Sequence, residues 1–147
     1  MIKDLLDISK IEFDVEAEDW KDALRKAGRY LVEQDKITEQ YVENAINACI
    51  EKGPYIVIMP GVAFGHARPD ESVKQECLHM IRLKDAVEFG SEYNDPVRVV
   101  FMFASESSKG HLAVMRSIAK MLVEPENVEL LISGTDENAV RELLASY

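Results

Sequence analysis

The sequence predicts a layered α/β domain, on three observations. Helix-period segments lie before and after a middle region of short runs rich in β-branched and aromatic residues, an arrangement that fits helices covering a sheet and does not fit an all-α bundle. At 147 residues and 47% hydrophobic content, the chain can bury roughly 68 to 70% of its unfolded surface in one core. Finally, no internal repeat, low-complexity tract or linker divides it. Residues 1–147 are therefore expected to form a single domain.

The elements follow in chain order. "IEFDV" is a candidate edge strand. "AEDWKDALRKAGRYLVEQD" carries Trp20, Leu24, Ala27 and Leu31 at three-to-four-residue spacing, the mark of an amphipathic helix. In "TEQYVENAINACIEKG", Thr38 can cap the start, Tyr41, Val42, Ala45, Ile46 and Cys49 form one stripe, and Gly53 stands where the helix should stop. These two segments make an αα-hairpin. "YIVIM", "ECLHMIRL" and "VRVVFMF" then read as at least three strands, bounded by Pro60, by Lys84-Asp85 and by "SEYNDP". From Ser108 the helical period returns, with Leu112, Met115, Ile118, Ala119 and Leu122 as its apolar stripe until Glu124-Pro125. "ENVELLIS" and "DENAVRELLAS" close the chain as two short helices.

Charge and cysteine usage narrow the function. Seventeen basic against 27 acidic residues give a net charge of -10, which repels nucleic acid and anionic lipid and favours a basic protein partner. No apolar run approaches the roughly 18 residues of a membrane span, and "MIKDLLDISK" is acidic where a secretion signal must be apolar. A cytoplasmic protein without direct membrane insertion is expected. Cys49 and Cys77 sit in apolar-patterned segments and read as reduced core thiols.

Chemistry is concentrated in the three histidines. His66 lies in "IMPGVAFGHARPDESVK", where Gly61, Ala63, Gly65, Ala67 and Pro69 sustain neither helix nor strand periodicity, so the segment reads as a loop with open space around the ring. A loop histidine can be merely solvated; it can also offer a neutral nitrogen as nucleophile near neutral pH. His111, in "ASESSKGHLAVM", falls in or near the first turn of a helix capped by Ser107 or Ser108, where free N–H groups and the helix dipole favour an anion such as phosphate; by pattern alone it can equally be a partly exposed helix-start residue. Arg68 is a further phosphate-stabilising candidate, or else an exposed residue paired with Asp70 or Glu71. His79, two residues from Cys77 on one strand face, reads as structural. A metal site of Cys77, His79 and a loop histidine, or a metal-dependent hydrolase built on His66, His79 and His111, lacks any paired ligand spacing. There is no phosphate-binding glycine loop ending in Lys-Ser/Thr, no G-x-S-x-G elbow and no dinucleotide fingerprint, and no cofactor is expected.

Three segments, "GPYIVIMPGVAFGHARPDESVK", "RLKDAVEFGSEYNDPV" and "HLAVMRSIAKML" with the "ENAVRELL" tail, together resemble enzyme IIA domains of the sugar phosphotransferase system, in the mannitol/fructose superfamily, over roughly residues 15 to 146. The resemblance implies an α/β sandwich with a mixed β-sheet flanked by helices. It implies that His66 accepts phosphate from the phosphohistidine of the carrier HPr and passes it to a cysteine of an enzyme IIB, the membrane IIC subunit being an indirect partner. His111 matches the second histidine, implied to steady the phosphoryl group, and His79 matches no functional position. An apolar rim around His66, formed by Val62 and Phe64, and surrounding acids that attract HPr would suit such docking, while Phe64 can equally be a core residue that anchors the loop. The family usually has proline directly before the active histidine; Gly65 here is expected to loosen the loop. The mannitol branch has an arginine upstream, where "IEKGPY" offers only Lys52, and this tilts the likeness toward the ascorbate branch. A regulatory module that uses the same phosphohistidine as a binding switch is the alternative.

Overall fold

A computed structural model describes residues 1–147. Five strands form one mixed sheet: β1 (Glu12–Val15), β2 (Val57–Met59), β3 (Val62–Gly65), β4 (Cys77–Val87) and β5 (Val97–Ala104), in the spatial order β1-β4-β5-β3-β2. β1 runs parallel to β4 and β3 parallel to β5, while the β4–β5 and β2–β3 pairs are antiparallel. Six helices cover it: α1 (Ile2–Leu5), α2 (Trp20–Glu33), α3 (Glu39–Lys52), α4 (Ser108–Leu122), α5 (Pro125–Ser133) and α6 (Glu137–Ala145). The α/β sandwich with a mixed sheet is thus the observed architecture.

Side-chain alternation along the central strands divides the core in two. Val100, Met102 and Ala104 of β5 meet α2 and α3, whereas Val99, Phe101 and Phe103 meet α1, α4, α5 and α6. Strands covered on both faces carry apolar residues at nearly every position, and β5 does, with Arg98 its one polar residue. The α2 and α3 stripes fall where the periodicity places them, with Leu24, Ala27, Leu31, Tyr41, Val42, Ala45, Ile46 and Cys49 all buried.

Three expectations change. The first part of the segment read as a loop is a hairpin, in which β2 turns through Pro60-Gly61 into β3 and Gly61, at φ 84°, supplies the left-handed conformation that the turn needs, while His66 to Pro69 form the expected loop beyond it. β3 was hidden because all four of its residues are buried, so no alternation marks it. Gly65 therefore loosens nothing. It pairs with Met102, and a Cβ there would sit 2.9 Å from Leu24 Cδ2 and 3.1 Å from both Met102 Cε and the Phe101 carbonyl oxygen, so a side chain would require Leu24 to shift. On α4 the buried stripe is Val114, Ile118 and Met121, and Leu112 and Ala119 face out. Apolar residues occupy so much of that helix's circumference that periodicity alone does not set its rotation.

Cys49 and Cys77 are buried and unpaired, and burial pushes their thiols up to about 11 and about 12. His79 is fully buried on the α2 face, stacked on Tyr30 with ring centroids 4.8 Å apart. Its Nε2 lies 2.8 Å from Glu12 Oε2 on β1, and its Nδ1 has no partner. Burial is the largest influence and lowers its pKa, against the opposing pull of Glu12 and the more distant Asp7. Charging the ring would place an N–H at Nδ1 with nothing to accept it. Because the folded protein keeps His79 neutral while the unfolded chain titrates at about 6.5, this contribution to stability is present above that pH and is lost as pH falls through the folded value. We expect the melting temperature to fall between pH 7 and pH 5, above the carboxylate range, and to fall less steeply in a His79→Gln protein; equal slopes in thermal melts would remove this role.

Candidate active site

His66 is the first residue beyond β3, and its side chain emerges on the sheet face that α4 covers, the face that also holds Phe64. β5 ends at Ala104, and the turn that follows starts α4 at Ser108 with Ser107 as its cap, the Gly110 N–H donating to Ser107 Oγ at 3.2 Å. One turn in, His111 faces back over the strand ends. The two imidazole rings stand 5.0 Å apart, centroid to centroid, inclined at 52°. Beneath them Phe64 lies 5.5 Å from His66 and 6.4 Å from His111, and Phe103 lies 5.7 Å from His111.

The hydrogen bond on His66 decides its tautomer. Its Nδ1 is 2.8 Å from the carbonyl oxygen of Phe64. A carbonyl only accepts, so Nδ1 carries the hydrogen and Nε2 keeps the lone pair. Burial lowers the His66 pKa, the neighbouring His111 lowers it further, and the Phe64 carbonyl opposes both. The ring is therefore neutral at neutral pH, and the backbone two residues upstream decides which nitrogen keeps its lone pair.

His66, Arg68 and His111 line one open cleft of about 490 Å³, joined by Lys52, Tyr41, Tyr55, Ser105, Ser107 and Leu112. Arg68 is exposed, and Asp70, its suggested partner, is instead taken up by Ser72 and Asn44. The cleft lining holds two cations, Lys52 and Arg68, and no carboxylate, in a chain of net charge -10. The apolar rim differs from the expected one: Val62 and Phe64 are wholly buried, and the exposed apolar groups at the cleft are Tyr55, edge-on to His66 at 5.5 Å, and Leu112. Tyr41 and Tyr55 could not be found by pattern. Both belong to segments whose periodicity already explains an aromatic residue, and only tertiary structure brings their hydroxyls to the loop after His66. His79 lies on the other face of the sheet, and no three His, Cys, Asp or Glu side chains gather closely enough to hold a metal ion, which dismantles the three-histidine metal site.

Comparison with known proteins identifies the family and the fold. Residues 4–147 match the family described as phosphoenolpyruvate-dependent sugar phosphotransferase system, EIIA 2. The chain is 32% identical over 141 residues to the ascorbate-specific PTS system EIIA component of Shigella boydii serotype 4, covering 95% of this chain and 92% of that protein. Its fold matches the solution structure of the mannitol-specific cryptic phosphotransferase enzyme IIA CmtB from Escherichia coli, with a TM-score of 0.88 at 24% identity over 99% of both chains. It also matches the IIA mannitol structure solved in complex with phosphorylated enzyme IIB mannitol from Escherichia coli, with a TM-score of 0.80 at 24% identity, covering 93% of this chain and 94% of that one. The chain belongs to the EIIA type 2 family of the sugar phosphotransferase system.

Proposed function

We propose that residues 1–147 act as one cytoplasmic EIIA domain that takes a phosphoryl group from phospho-HPr onto His66 Nε2 and delivers it to a cysteine of an enzyme IIB, for uptake of ascorbate or a related carbohydrate. The observation that carries this reading is the His66–His111 pair, with His66 Nδ1 held by the Phe64 carbonyl and Nε2 left with its lone pair. That no helix is long and apolar enough to cross a membrane is consistent with a component working beside a separate membrane subunit. In the first step the Nε2 lone pair forms a bond to phosphorus as the P–N bond to the HPr histidine breaks, and that histidine leaves with the electron pair. In the second step a IIB thiolate attacks the same phosphorus, and the His66 N–P bond breaks.

Both steps need in-line positioning and charge stabilisation more than acid–base work. In this reading His111 donates a hydrogen bond to a phosphoryl oxygen and Arg68 and Lys52 add positive charge, which the shared cleft of these residues supports. The ascorbate assignment is supported by the curated relative at 32% identity, and the IIB partner by the mannitol complex of the same fold.

The test is incubation with enzyme I, HPr and phosphoenolpyruvate, followed by a panel of IIB domains. An acid-labile, base-stable label that leaves the protein when one IIB is added supports transport, whereas label that no IIB collects identifies a regulatory switch. In the same assay a His111→Ala protein should keep its affinity for both partners while transfer slows by about 10²- to 10³-fold, and an unchanged rate would strike His111 from the mechanism.

A further inference from the structure

Tyr41 has a place in this site that composition and periodicity do not suggest. It lies in the first turn of α3 and is 1% exposed, so its single hydroxyl must find partners inside the protein. It accepts from the Ala67 N–H at 3.0 Å and donates to the Phe103 carbonyl at 2.7 Å, with the Ala67 carbonyl a second acceptor at 3.3 Å. Burial raises its pKa, so the hydroxyl keeps its proton.

The sheet register gives these contacts their meaning. β3 and β5 are parallel and pair residue by residue from Val62 with Val99 to Gly65 with Met102. On its other edge β5 stays paired with β4 through Phe103 and Ala104. The Phe64 N–H points away from β5, bonding the Ile56 carbonyl, so the amides of alternate residues, Gly65 and then Ala67, point toward β5. Carried two residues on, the register would set Ala67 opposite Ala104 and run a ladder bond from the Ala67 N–H to the Phe103 carbonyl. Those are the two groups that the Tyr41 hydroxyl bridges. It stands in place of the next bond of the ladder.

We propose that this hydroxyl is a wedge that ends the β3–β5 pairing at Gly65 and fixes the spacing of His66 and His111, which makes Tyr41 a positioning residue for phosphoryl transfer. Ala67 follows His66 directly, and Phe103 lies against His111, so one oxygen ties the backbone of the first imidazole to the floor of the second. Without it, Ala67 and Phe103 either close on each other, drawing the strands to ladder spacing and moving His66 toward β5, or remain unpaired in a buried site. The proposal rests on His66 being the phosphoryl acceptor, although the wedge itself can be tested without any partner.

The experiment uses Tyr41→Phe in the full chain. We expect kcat for acceptance from phospho-HPr to fall by about 10- to 100-fold with KM for HPr unchanged, together with a shift in the ¹⁵N resonances of the His66 ring in the unphosphorylated protein. A wild-type rate with unchanged His66 ring resonances overturns the inference, since a tyrosine that only filled space would leave both alone. If the variant does not fold, amide exchange in the wild-type protein decides: the Ala67 N–H should exchange as slowly as the Gly65 amide inside the ladder, and exchange as fast as that of an open loop overturns it. A wild-type protein that never accepts phosphate on His66 would end the functional reading and leave the wedge to be judged by the resonances and the exchange rate.

Discussion

A His66→Ala protein should take up no phosphate from phosphoenolpyruvate, enzyme I and HPr, while its far-ultraviolet circular dichroism stays that of the wild type. The loss is expected to be complete because the cleft holds only one other imidazole, and His79, the third, is sealed on the opposite face of the sheet beneath Tyr30. The fold should survive because His66 is only half-buried and its one side-chain hydrogen bond is to the Phe64 carbonyl, which water can satisfy once the ring is gone. The neutral state sets the direction of the pH effect on the wild type. Acceptance should slow as pH falls through the His66 pKa, which burial holds below the ordinary imidazole value of about 6.5, because a protonated Nε2 has no lone pair to give. The measurement is the base-stable label on wild type and variant, located by mass spectrometry of proteolytic fragments. Label on the variant equal to that on the wild type would remove His66 as the acceptor.

The helices were legible wherever one face is buried and the other solvated, as on α2 and α3, because burial on one side imposes the 3.6-residue period on the sequence itself. β4 and β5 were legible as apolar runs bounded by turn residues. β3 was not: its position between β5 and β2 with both faces covered removes alternation, and the glycine that ends it elsewhere marks a loop. The α1 helix escaped because four residues are too few to display a period. At the site, the histidines stood out through the family resemblance of the segments that carry them, since a loop histidine or one at a helix start can be merely solvated. Everything that tunes them was invisible. The Phe64 carbonyl that selects the tautomer, the Tyr41 bridge, the Tyr55 edge contact and the cationic lining all depend on which segments the sheet brings side by side.

The Phe64→Ala change should be the most destabilising single substitution near the cleft, because one side chain serves both the core and the site. Phe64 is wholly buried in the cluster formed with α4, α5 and α6, with Phe101 and Phe103 rings 6.3 Å and 5.5 Å away. Truncation removes its apolar surface and leaves a cavity that a sheet pinned on both sides cannot readily collapse, a cost of about 3–5 kcal/mol. For a chain of this size that corresponds to a melting temperature lower by roughly 10 °C or more. The ring is also the floor on which both imidazoles rest, so the loss should reach the chemistry as well. Phosphoryl acceptance measured well below the melting point should still be slowed, since His66 keeps its backbone acceptor at residue 64 but no longer has the surface that limits its tilt. Phe64→Leu separates the two effects. It restores most of the buried volume, so stability should return to within about 1.5 kcal/mol of wild type, while the flat contact beneath the imidazoles stays absent and transfer remains slow. A Phe64→Ala protein that melts within 2 °C of wild type would refute the claim that the same ring supports the core and the histidine pair.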